Sequence, residues 1–254
     1  MAYRDDTDLS FLDNCSSDDL DILVNILTKD KDGVPRLTEK LSKEDRCILN
    51  KPDHHQYWDL IAAEIQHFGA NTFVTMIRGG EGVLYREILI NACDKMKVNY
   101  SVHATVETIE MNLLMKVFTD SMVKMTPKEL EALVQEFDIK TTDFTKQAII
   151  AAVLASIRYS GFSAYKMSAI VANAVAKSVI GRGLSFATGY TLTRSMAALT
   201  GPIGWVITTL WTVLDISGPA YRITIPCIVQ VAFLRAKLKH QESQFKNYHT
   251  RTSR

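Results

Sequence analysis

The twenty residues from Ser195 to Leu214 carry no formal charge. That is about the length of a bilayer-spanning helix, so this stretch decides between a membrane segment and the core of a packed domain. Gly201 and Pro202 lie in its middle. Proline removes a backbone donor and clashes with the preceding turn, so one unbroken helix through this point is costly. Pro202 is comfortable only as a helix start, which leaves a piece from Pro202 to Leu214 about 20 Å long. A hydrocarbon core is about 30 Å thick, and the expectation is a buried core helix. Its apolar residues, with Trp205 and Trp211 among them, lie all round it, as in a helix enclosed by protein.

Helical signals run along the rest of the chain. Ser17 precedes Asp18 and Asp19 as the expected helix start, the acids suit a first turn, and Leu20, Leu23, Ile26 and Leu27 follow at helical spacing. A second helix is expected from near Thr38 through Leu41. Trp58, Ile61, Ile65 and Phe68 share one face of a third, with Gly69 read as its stop signal. Helical period resumes after "RGGEG" at 78–82, "NYSVHAT" at 99–105 reads as a connector, and an apolar stripe runs from Ile109 through Leu113, Leu114, Val117, Phe118 and Met122 to Met125. Thr126, Pro127 and Glu129 spell a capping box with proline at the first helical position. Phe144, Ile149, Ile150, Val153, Leu154 and Ile157 predict the next helix. No run alternates with period two. The fold class is all-α, a multi-helix globular fold with an acidic N-terminal region (1–104), a basic and apolar C-terminal helical region (105–240) and a basic tail (241–254).

The formal net charge of +1 hides a division. Residues 1–143 hold 26 acids and 16 bases, whereas residues 144–254 hold 13 bases and only Asp215 and Glu242 as acids. Either the two parts dock on each other or the basic one meets an anionic partner, and intramolecular docking is the simpler expectation. An apolar, acid-free stretch from 144 to 214, with small residues at Ala172, Ala176, Gly201 and Gly204, also fits helices that insert in an anionic membrane. From Arg235 to Arg254, six bases stand against one acid, which suits an anionic partner or a frayed, solubilising terminus.

No motif supports a chemistry. "TKDKDGVPRLTE" places Asp30, Asp32, Gly33 and Glu39 at calcium-loop positions, but Thr28 stands where the first carboxylate belongs and Pro35 alters the backbone. Glu64 and His67 make one Glu-x-x-His, and no second exists to complete a carboxylate-bridged metal pair, so His67 reads as structural. His54 and His55 lie in a polar turn. Arg78, Gly79 and Gly80 are a candidate anion contact, without the lysine of a nucleotide loop. Cys15, Cys47, Cys93 and Cys227 form no C-x-x-C pair, which argues against disulfides and zinc and suits a cytoplasmic setting. The acidic N-terminus lacks the apolar region of a secretory leader. Asp215 and Arg222 are a candidate structural pair.

"DLSFLDNCS", "WDLIAAEIQHFGANT", "RGGEGVLYREIL" and "GPAYRITIP", in this order, resemble the YaaW-like family of bacterial proteins over most of the chain. One departure is Ala70, where the family pattern has a second glycine after Gly69. The resemblance implies no activity, only a loose association with ubiquinol-cytochrome c chaperones, which are helical assembly factors. The expectation is therefore a non-enzymatic, chaperone-like binding or assembly protein without cofactor. Its partner is expected to be a protein, with an anionic membrane surface as the second candidate and nucleic acid disfavoured. Gly201, Pro202, Gly204, Trp205 and Trp211 are the candidate contacts. The alternative is a membrane-active effector of bacterial stress or phage defence, whose place would be the periphery of the inner membrane.

Overall fold

A computed structural model of the chain describes residues 2–30, 32–72, 82–181, 183–184, 204 and 220–252. Among these the regular elements are helices: α1 (Ser17–Thr28), α2 (Asp45–Asn50), α3 (Trp58–Thr72), α4 (Tyr85–Met96), α5 (Val106–Lys124), α6 (Pro127–Glu136), α7 (Lys146–Tyr159), α8 (Gly161–Ile180) and α9 (Tyr221–Thr252). The expected fold class is the one observed.

Local chemistry explains where these helices start. Ser16 rather than Ser17 caps α1: its hydroxyl accepts from the Asp19 amide, and Ser17 is the first helical residue, with Asp18 and Asp19 in the first turn. Thr126 and Glu129 make both halves of the capping box of α6. Thr105, Thr145 and Ser160 cap α5, α7 and α8 in the same way. Each cap satisfies an amide that would otherwise lack a partner.

Four expectations shift. No helix starts at Thr38; a single tight turn spans Leu41–Lys43 and α2 begins at Asp45. Glu39 is buried, and its carboxylate takes the Ser42 amide at 2.8 Å, while the Lys40 amide goes to Glu64 of α3 at 3.0 Å. Gly69 does not stop α3, which continues to Thr72. A Cβ there would fall 2.4 Å from Cδ1 of Ile88, so Gly69 is needed for the close approach of α4. Phe144 lies ahead of α7 and is 64% exposed rather than part of its buried face. The described part of the tail is not frayed, because α9 continues as helix to Thr252.

The longest helix, α9, occupies the centre. It packs on α8, α1, α5, α3 and α4, and from Ile223 to Leu234 almost every side chain is buried. Ala169, Ala172 and Ala176 of α8 are fully buried and permit close packing; the Gln230 amide of α9 donates to the Ala172 carbonyl at 2.8 Å. The N-terminal segment joins the same core through Leu9, Leu12 and Cys15.

Candidate functional site

Arg235 of α9 organises the junction of the first and last parts of the chain. Its Nε donates to Glu110 Oε2 at 2.9 Å and its Nη2 to Oε1 at 3.3 Å; a second bond from Nη2 reaches the Asp8 carbonyl at 2.6 Å. The guanidinium also lies 4.1 Å from the Phe11 ring centroid. Glu110 accepts a further bond from the Tyr85 hydroxyl at 2.7 Å. Burial pushes the Glu110 carboxyl above its usual value, against the pull of Arg235. Burial lowers the Arg235 guanidinium, but the attraction of Glu110 outweighs it and the net shift is upward. Tyr85 is driven well up by burial and then by Glu110. Asp6 adds a cap on α4, accepting from the Tyr85 amide at 2.7 Å.

Three more pairs cross the same divide of charge. Lys237 meets Asp19, Lys239 meets Glu107 at 2.9 Å and Lys166 meets Glu136 at 3.6 Å. The acidic and basic parts therefore dock on each other, and these bases of the C-terminal part are engaged within the molecule.

Beside Arg235, a cleft of about 480 Å³ opens between α5, α8 and α9. Met111 and Leu114 lie on its α5 wall, Tyr165 and Phe162 on α8, Ala236 and His240 on α9. The His240 ring stacks on Tyr165 at 4.7 Å and on Phe162 at 5.2 Å, and burial holds its imidazole below the ordinary value. A second cleft of about 660 Å³ continues along α5 past Met115 and Asp120 to Leu154 and Arg158 of α7. Met111, Gly161 and Ala164 line both, so the two form one groove along the outer face of α5. Methionines suit such a surface because an unbranched thioether adapts to different partners.

None of the cysteines lines the groove. All four cysteines are free and buried, with burial pushing the thiols of Cys15 and Cys93 up to about 12 and Cys227 also upward. Among the described residues no group of three His, Cys, Asp or Glu could hold a metal ion. His67 is half-buried beside Phe68, and burial followed by Lys40 lowers its imidazole. His54 departs from the polar-turn reading: it is buried, with Nδ1 on the Tyr57 hydroxyl and Nε2 at 3.3 Å from Asp21. Glu64 is another polar group beneath the surface. It is fully buried, Oε1 takes the Lys40 amide, and Oε2 has no partner. Burial, then the proximity of Glu39 and Glu44, raises its carboxyl to about 7 despite the Lys40 amide.

Of the residues selected from the sequence, Arg78, Gly79, Gly80, Gly201, Pro202, Trp205, Trp211 and Asp215 lie outside the described residues. Gly204 is helical and half-buried, and Arg222 is exposed at the start of α9. The α5 groove was not among those selections. Its signal was present in Met111 and Met115, apolar residues that fall off the buried stripe of Leu113, Leu114, Val117 and Phe118.

Comparison with known proteins places the chain in a family. Residues 53–230 match the model described as Ubiquinol-cytochrome C chaperone, and residues 3–37 match a domain of unknown function, DUF3944. A "UPF0174 protein" of Helicobacter pylori (strain J99) is 44% identical over 97% of this chain and 98% of its own length. The "UPF0174 protein YaaW" of Escherichia coli (strain K12) is 29% identical over 92% of this chain and 96% of its own. The chain belongs to the UPF0174 family, whose YaaW member carries the resemblance seen in the sequence, and to the Ubiquinol-cytochrome C chaperone family by its central region. No solved structure matches it.

Proposed function

We propose that the protein is a non-enzymatic, chaperone-like binding protein that holds an apolar segment of another protein in the groove along α5. One observation carries this reading: two adjoining clefts meet over Met111 and Ala164 on a helix whose outer face is only half covered. The family description, a chaperone, supports the same class of activity. The walls supply aromatic and aliphatic contact, and the rim supplies the Glu107–Lys239 and Lys116–Asp120 pairs. Such an arrangement favours a bound helix or strand with an apolar face and a polar back.

A photo-crosslinking residue at Met111 in the full chain, expressed in the bacterial cytoplasm, tests the reading. A discrete protein adduct that disappears when Ala164→Arg fills the groove is expected. Absence of any adduct, or one indifferent to Ala164→Arg in a folded variant, would overturn it.

The effector reading stays a proposal of second rank. Among the described residues no single helix is long and apolar enough to cross a membrane, whereas α7 and α8, bent by 114°, pass that measure only as a broken pair. Most of α8 is buried against its neighbours, which favours a packed helix over an inserted one.

A further inference from the structure

Arg235 does not give all of its donors to the interior. Nε and Nη2 hold the Glu110 carboxylate and the Asp8 carbonyl, but among the described residues no acceptor meets Nη1. That nitrogen is not sealed in either, since the one buried side-chain atom left unpartnered among the described residues is Glu64 Oε2. Arg235 lines the first cleft, with 11% of its side chain accessible. Nη1 is therefore the donor that Arg235 offers to the cleft.

The charges around this donor select what can accept from it. Glu110 balances Arg235, and one helical turn along, Glu107 balances Lys239 at 2.9 Å. A guest carboxylate or phosphate would enter beside two carboxylates with both of these cations already matched, so an anion is opposed. Glu107 is 46% exposed, and its carboxylate has acceptor positions beyond the one that Lys239 uses. The group that suits both Nη1 and Glu107 accepts one hydrogen bond and donates another, as a neutral hydroxyl does. The walls set the body that carries it. Met111, Leu114, Ala232 and Ala236 are apolar, the stacked rings of Tyr165 and His240 are aromatic, and a space of about 480 Å³ holds a ring with its flanking atoms.

We infer that the partner segment held along α5 anchors itself with a tyrosine, whose ring fills this cleft while its hydroxyl accepts from Arg235 Nη1 and donates to Glu107. This anchor rests on the groove reading above and adds a sequence requirement to it. Phenylalanine would cover Nη1 without supplying an acceptor, which leaves a desolvated donor unpaired. Tryptophan brings only a donor, and the indole N–H would face another N–H. Serine and threonine carry the hydroxyl but leave the apolar walls bare.

Titration of the full chain with p-cresol, toluene and p-toluate, followed by the methyl NMR signal of Met111, tests the site without a known partner. Saturable shifts are expected, with p-cresol binding about fivefold or more tighter than either toluene or p-toluate. The paired variant Arg235→Met, Glu110→Leu removes the donor with its counter-charge, and p-cresol then binds no better than toluene. Ala236→Leu, which narrows the cleft without touching Arg235, abolishes binding of all three with an unchanged circular dichroism spectrum. The partner peptide recovered from the Met111 photo-crosslink carries a tyrosine within about one helical turn of the linkage. Toluene or p-toluate binding as well as p-cresol would overturn the anchor, as would no saturable shift at Met111 or an adduct peptide without tyrosine. An adduct blocked by Ala164→Arg, obtained alongside any of these, would strike the tyrosine and keep the groove. Preference for p-cresol with no adduct would instead strike the groove reading, and the partner's tyrosine with it.

Discussion

Arg235 and Glu110 stand 125 residues apart in the chain and meet through two hydrogen bonds in the interior. Taking both charges out of water offsets most of their attraction, so the pair specifies how α9 sits on α5 more than it adds net stability. Removing one partner is different. Arg235→Ala leaves Glu110 and the Asp8 carbonyl without their donor and is expected to cost about 3 kcal/mol in urea unfolding. Arg235→Met combined with Glu110→Leu recovers most of that loss, and a double-mutant cycle measures the coupling.

Gly69→Ala drives a methyl group into Ile88, whose buried side chain must shift to make room. A loss of about 1–3 kcal/mol is expected from this overpacking. Ile88→Ala alone also destabilises, but it removes the atoms that the added methyl group would strike. The two changes together should cost less than their sum, measured by thermal or urea unfolding.

Glu64 makes stability depend on pH with a definite sign. Its folded carboxyl titrates near 7, above the usual 4.5. Below that usual value it is protonated in both states and contributes no dependence. As pH rises from about 4.5 to 7 the unfolded chain ionises and the folded one does not, so stability falls, by up to about 3 kcal/mol at most. Glu64→Gln keeps an acceptor for the Lys40 amide and removes the dependence. Its advantage over the parent should be small at pH 4.5 and largest at pH 8, read from urea midpoints across that range.

Thr126→Ala removes the cap of α6. About 1 kcal/mol of stability is expected to go with it. Glu129→Gln retains a reciprocal acceptor and should cost less, in the same unfolding assay.

Much of the architecture can be read from the residues. The capping box at Thr126, the apolar faces of α1 and α3 and the all-helical class are local matters, set by spacing within a few turns. The division of charge also pointed to its outcome, since Asp19, Glu107, Glu110 and Glu136 take the bases of the C-terminal part. Tertiary contacts decided the rest. Gly69 reads as a terminator until Ile88 is known to face it, and the start near Thr38 fails because Glu39 and Glu64 claim the amides of that turn. The α5 groove was the least legible. A groove is an absence of covering side chains, and Met111 and Met115 look like core residues until the helix that leaves them half bare is placed.

The placement of α9 has a consequence for how the chain is made. Arg235 holds the Asp8 carbonyl across 227 positions, so a segment made early receives a closing contact from one made much later. The faces of α1, α3 and α5 that α9 covers must wait, with oily surface exposed, until Ile223 to Leu234 arrive. The interior closes only once α9 has been made, and until then the nascent polypeptide is itself the kind of client that holding factors protect.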